Sequence, residues 1–182
     1  SAVQGDDKEL LIKAESVLNR IIDSQEANGY VGATAKSFRS PERPVRGMDA
    51  YELYFVFHAF ITVYEETGDK KALTAAEKLA DYFLQYFGPG KLEFWPSDLR
   101  APAGHSVHYS WEGTLLCDPI TRLYELTGKK KYLEWSQWVV SNIDKWSGWD
   151  AFSRLDSVAD GTLGVDKLQP YVHSHTFHMN FM

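Results

Sequence analysis

Only one cysteine, Cys117, occurs among the 182 residues. A disulfide within the chain is therefore impossible, and so is a metal centre built on several cysteines. Apolar runs of membrane-spanning length are missing, and Ser1-Ala2-Val3-Gln4 has neither the charged nor the apolar region of a signal peptide. The start reads as a cut or processed end. There is no basic excess either: Lys+Arg 19 against Asp+Glu 25 gives a net charge of −6, with both signs interspersed. Without a basic patch, nucleic acid and anionic membrane are not expected partners. What the chain has in excess is rings, with Trp 6, Tyr 10 and Phe 10 making 14% aromatic residues. Rings pack cores, and they also make platforms for sugars. A hydrophobic share of 44% and a charged share of 24% suit a globular domain of this length.

A phrase recurs. YEETGDKKAL begins at Tyr64, and YELTGKKKYL begins at Tyr124. At the same offset Tyr51 faces Trp111, Glu52 faces Glu112, and Leu73 faces Leu133. Repetition at fixed spacing is the mark of stacked supersecondary units. Each copy reads as helix, tight turn, helix, with Gly68 and Gly128 placed to close the first helix in a left-handed conformation.

The helices fall into two kinds. Leu73, Ala76, Ala80, Phe83 and Phe87 recur at three-and-four spacing on an otherwise charged stretch, and Leu133, Val140, Ile143 and Trp146 do much the same. These predict outer helices with one apolar stripe. By contrast YELYFVFHAFITVY, from Tyr51, is apolar nearly all round and predicts an inner helix packed on both sides. The expected helices span roughly 6–27, 49–67, 70–87, 110–127, 130–147 and 173–182, with long loops at 28–48, 88–109 and 148–172. Inner-plus-outer hairpins joined by long loops describe an all-α fold, part of an (α/α)6 toroid and about half of it, in one domain over 1–182.

Several stretches carry a family resemblance: EANGYVGA (26–33), YELYFVFHAFITVYEETGDKKALTAAEKLADYF (51–83), FGPG (87–90) and GHSVHYSWEGTLLCDPITRLYELTGKKKYLE (104–134). Together they resemble the bacterial β-L-arabinofuranosidase-like enzymes, glycoside hydrolase family 127 and relatives. The most specific element is Glu52-Leu53-Tyr54 followed by His58. Tyr51 stands where that family usually has His, and Ser106-Val107-His108 where it usually has acids. The resemblance implies an α/α-toroid catalytic domain acting on oligosaccharide. It also implies a cysteine nucleophile and a zinc ion held by cysteines and a glutamate in the full-length enzyme. Cys117, expected in mid-helix, matches none of those roles, so this segment would line the sugar pocket and carry no cofactor. Its remaining partner would be the rest of its own toroid.

The candidate binding residues follow. His58, on an apolar helix, is either a core histidine bonded to a neighbour or a sugar ligand offering one donor and one acceptor. The resemblance favours the sugar. Glu52 and Glu112 are either first-turn acids that suit the helix dipole or a carboxylate pair for glycoside chemistry; equivalence by repeat favours the first. HSHTFHM holds His173, His175 and His178, which suit a sugar pocket by resemblance, with zinc as the alternative. His105, His108, Trp95, Tyr109 and Trp111 form either an aromatic and polar rim or a loop pinned by its own rings. Arg39, Arg43 and Arg46 suit either an acidic sugar or a solvated loop.

The expectation is a glycoside hydrolase segment whose sugar ligands are His58 with His175 or His178. Tyr54, Glu52, Trp111 and His105 would shape the pocket, and no catalytic residue falls in the segment. Two other readings stand beside it. One is a helical-repeat module that binds a glycan or protein without turnover. The other is a toroid sugar epimerase or unsaturated-glycoside hydrolase, since hairpins alone do not settle chemistry.

Overall fold

In the computed structural model, which describes residues 7–45, 49–94, 113–147 and 151–167, the repeated phrase makes the same turn twice. Thr67 Oγ1 donates to Val63 O at 2.6 Å, and Thr127 Oγ1 donates to Leu123 O at 2.7 Å. The amides of Gly68 and Gly128 donate to Tyr64 O and Tyr124 O at 2.8 and 2.7 Å. Both glycines are left-handed, with φ of +72° and +68°. Such a residue satisfies the last carbonyls of a helix and turns the chain back.

These turns join α2 (Asp49–Thr67) to α3 (Lys70–Tyr86), and α4 (Cys117–Thr127) to α5 (Lys130–Ser147). Ahead of them lies α1 (Lys8–Ser24), and α6 (Ala151–Ala159) follows. Among the described residues there is no strand, only isolated bridges at Ser40/Arg43 and Phe87/Leu92. Helix α2 packs beside α4, α3 rests on both, α5 rests on α4, and α1 lies against α3. The chain is thus all-α, an inner row and an outer row of helices forming part of an α/α toroid.

The two hairpins differ where their turns do. Asp69 caps α3 by accepting from the Lys71 amide at 2.8 Å. The equivalent Lys129 reaches back to Glu77 on α3, and Lys131 reaches Asp81. A helix cap in the first copy becomes a tie between hairpins in the second.

Rings fill the core. Phe87 and Phe94 stack at 4.5 Å and 8°, Trp135 meets Phe94 edge-on at 5.9 Å, and its Nε1–H donates to Phe87 O at 2.9 Å. FGPG folds the chain so that Phe87 and Phe94 can stack. Much of the aromatic excess is therefore packing.

The 28–45 loop is tied to α2 and α3. Buried Asp49 accepts from Tyr30 OH at 2.9 Å and Thr34 Oγ1 at 2.8 Å. Arg39 lies 3.5 Å above the Tyr30 ring, pairs with Glu26, and donates to Thr34 O at 3.0 Å. Tyr82 of α3 donates to Pro44 O at 2.6 Å. Arg39 is consumed by these contacts and does not wait for an acidic sugar.

Several expectations change. The helix expected over 110–127 is broken by a turn at 115–116 and resumes at Cys117. Pro119 is the reason, because it has no N–H for the Leu115 carbonyl. That carbonyl takes the Asp118 amide at 3.2 Å instead. Cys117 therefore opens a helix rather than sitting within one. The loop expected over 148–172 contains α6. The buried stripe of α5 is Tyr132, Trp135, Ser136, Val139 and Ile143, whereas Val140 is 54% exposed. Helix α2 is not buried all round, since Phe55 is 48% exposed. The helix expected over 173–182 lies outside the described residues.

Candidate functional site

Helix α2 sorts its side chains by angle. Leu53, Phe57 and Phe60 are fully buried on the face toward the core. At 100° per residue Glu52, Phe55 and Thr62 point the opposite way and are exposed. Tyr54 and His58 lie between these faces, on the flank toward α4.

On that flank His58 Nε2 comes within 2.9 Å of Asp118 Oδ2, and the two side chains are 36% and 43% exposed. Tyr54 OH donates to the same oxygen at 3.3 Å. The Tyr54 and His58 rings meet edge to face, with centroids 4.5 Å apart. The carboxylate lies off the imidazole N–H axis, so the contact is close and polar but bent, and Nε2 itself is buried. Further along the same seam Arg122 of α4 pairs with Glu65 of α2 and with Glu125, both at 2.6 Å.

Electrostatics separate the roles. The contact with His58, followed by the Tyr54 hydroxyl, holds the Asp118 carboxyl below the usual carboxylate range against its partial burial. Burial first, and then the Asp118 charge, push the Tyr54 phenol up to about 12. Tyr54 is therefore a neutral donor and Asp118 an ionised acceptor at neutral pH. An ionised acceptor, a phenol and an imidazole on one edge can bind a polyol.

Cys117 sits beside Asp118 but turns inward, its Sγ 4.0 Å from Ser136 O. Burial, with the Asp118 charge added, pushes its thiol far up, so a thiolate does not form at neutral pH. Nor do these residues fit zinc. Among the described residues no three His, Cys, Asp or Glu side chains converge.

Of the residues expected to bind sugar, the structure brings together His58 and Tyr54. Glu52 lies on the exposed face in the first turn of α2. Trp111, His105, His175 and His178 lie outside the described residues, as do Glu112, His108 and His173. Asp118 was not anticipated. It stands sixty positions after His58, so reading the repeat alignment position by position between Glu52/Glu112 and Tyr64/Tyr124 would have paired them.

A groove of about 580 Å³ runs beside His58, lined by Leu10, Val17 and Ile21 of α1 and Ala59, Thr62 and Val63 of α2. Its apolar walls offer sugar hydroxyls almost nothing, so the polar edge at Asp118 is the better site. No helix among the described residues is long and apolar enough to cross a membrane.

Fold and cluster together define a piece of an α/α toroid with a histidine, a tyrosine and an aspartate on its inner helices. Residues 1–155 match the family described as Beta-L-arabinofuranosidase, GH127 catalytic domain, and the chain belongs to that family. Among curated proteins, it is similar to the non-reducing end beta-L-arabinofuranosidase of Bifidobacterium longum subsp. longum. The two are 29% identical over 143 residues, covering 74% of this chain and 20% of the relative. The chain thus spans about a fifth of the length of that curated relative.

Proposed function

We propose that this chain is the pocket-lining part of a glycoside hydrolase that removes L-arabinofuranose-type residues from plant-type oligosaccharides. The observation that carries this reading is the family match over residues 1–155. It also favours hydrolysis over a binding-only module or an epimerase. The cluster on α2 and α4 supports it chemically: the partly exposed His58 ring lies where the inner helices meet, and it is held with buried Tyr54 at the Asp118 carboxylate. Glu52, Trp111, His105, His175 and His178 are proposed as further pocket residues. The reacting groups, and the zinc that the resemblance implies, are assigned to the rest of the full-length polypeptide, because the only cysteine here is a buried thiol. The remainder of the toroid would also cover the apolar groove between α1 and α2, where an outer helix has an inner neighbour on one side only.

The test is release of L-arabinose from a non-reducing β-L-arabinofuranosyl disaccharide by the full-length polypeptide. His58→Ala should lower kcat/KM by about tenfold or more, the effect of losing one well-placed hydrogen bond. Unchanged kcat/KM would remove His58 from the pocket, and no release at all would sink the arabinofuranose reading.

A further inference from the structure

We infer that Asp118 and Phe55 are two further sugar-contacting groups of this pocket, Asp118 accepting a sugar hydroxyl on Oδ1 and Phe55 covering an apolar face of the ring. The inference rests on reading α2 and α4 as pocket walls.

The two oxygens of Asp118 are unequally used. Tyr54 OH and His58 Nε2 both converge on Oδ2. Among the described residues nothing engages Oδ1, although the side chain is 43% exposed. An ionised carboxylate can accept about four hydrogen bonds, so the described residues use only about half its capacity. Contacts at Oδ2 also fix the carboxylate plane. The free oxygen is therefore oriented before any ligand arrives, and less ordering is needed on binding.

Phe55 supplies the complementary surface. Its ring is held edge-on by Tyr51 and Tyr54, at 5.0 and 5.2 Å between centroids, yet it is 48% exposed. A fixed, half-open phenyl on the exposed face of α2 adds little to the core. A sugar ring has apolar C–H faces and hydroxyl edges, so an oriented acceptor and an open aromatic ring, each in contact with Tyr54, suit both.

The experiment is calorimetric titration of the full-length polypeptide with methyl β-L-arabinofuranoside and a panel of other pentosides and hexosides. It compares the unsubstituted protein with Asp118→Asn and Phe55→Ala, with thermal midpoints recorded alongside. Asparagine keeps a carbonyl oxygen for Tyr54 but removes the charge. Each substitution should weaken the arabinoside by about tenfold, and Phe55→Trp should retain binding. Equal binding by both variants overturns the inference and leaves the hydrolase reading standing; a loss in one alone removes the other residue from the pocket. If the unsubstituted protein binds only a different glycoside and the variants lose it, the inference holds and the arabinofuranose reading falls. If nothing in the panel binds, both fall. Should Asp118→Asn lower the thermal midpoint, the Asp118 carboxylate ¹³C resonance of the unsubstituted protein decides. It moves on saturation with the bound glycoside if Oδ1 takes a hydroxyl, and an unmoved resonance overturns the assignment.

Discussion

Asp118 holds the position in the second helical hairpin that His58 holds in the first, and the two side chains meet at 2.9 Å. Parallel inner helices bring equivalent positions of successive repeats side by side. One position has thus diverged into an acid in one copy and a base in the next, and the pair joins the helices.

That pairing has a pH signature. The Asp118 carboxyl is held below its ordinary value by His58 first and Tyr54 second. A group depressed in the folded state contributes stability above its unfolded value, and that contribution is lost as pH falls through the folded value. His58→Ala should therefore raise the Asp118 value toward the ordinary range in a ¹³C titration. The acid limb of thermal stability should also become shallower, because the variant has less of this contribution to lose. An unmoved Asp118 titration would show that the contact does not hold it.

The repeated turn predicts a repeated cost. Gly68 and Gly128 have positive φ, and an added Cβ would meet nothing within 4 Å at either. Alanine there should cost about 1 kcal/mol each, from backbone conformation alone. The double variant should show their sum, because the sites share no partner. Urea denaturation midpoints check this; a cost of several kcal/mol at one glycine alone would break the equivalence.

The 28–45 loop should depend on Asp49. Replacing it by Ala leaves the hydroxyl of buried Tyr30 and that of half-buried Thr34 without their acceptor. A loss of about 3 kcal/mol is expected, read as a lower denaturant midpoint at unchanged slope. A loss under about 1 kcal/mol would mean that water replaces the carboxylate.

Cys117 should be unreactive. Its thiol is turned inward against Ser136 and pushed upward by desolvation, so Ellman's reagent at neutral pH should label it far more slowly than an exposed thiol. Prompt labelling of the native protein would contradict the packing against Ser136.

Local chemistry was legible in the chain itself. Thr-Gly phrases with apolar spacing on either side specify helix, left-handed stop and helix, because capping and φ preference act within a few residues. Pro119 was equally legible as a bar to one helix over 110–127, since a missing N–H is a local fact. Helix α6 was harder to read, being short and bordered by glycines at Gly148 and Gly161.

The site was less legible, and for a different reason. Glu52-Leu53-Tyr54 and His58 are visible in one segment, but what they touch is set by the angle and register between α2 and α4. Periodicity marked Val140 as core, yet the bulk of Tyr132 and Trp135 turned the buried stripe by one residue. Arg39 could have faced a ligand or a loop, and only the placement of Tyr30 and Glu26 decided it. The sequence by itself determined the repeat, the turns and the inner and outer rows, which follow from short-range sterics and burial. Tertiary structure alone decided that Asp118 meets His58 and Tyr54 through a single oxygen, because that depends on two helices lying side by side.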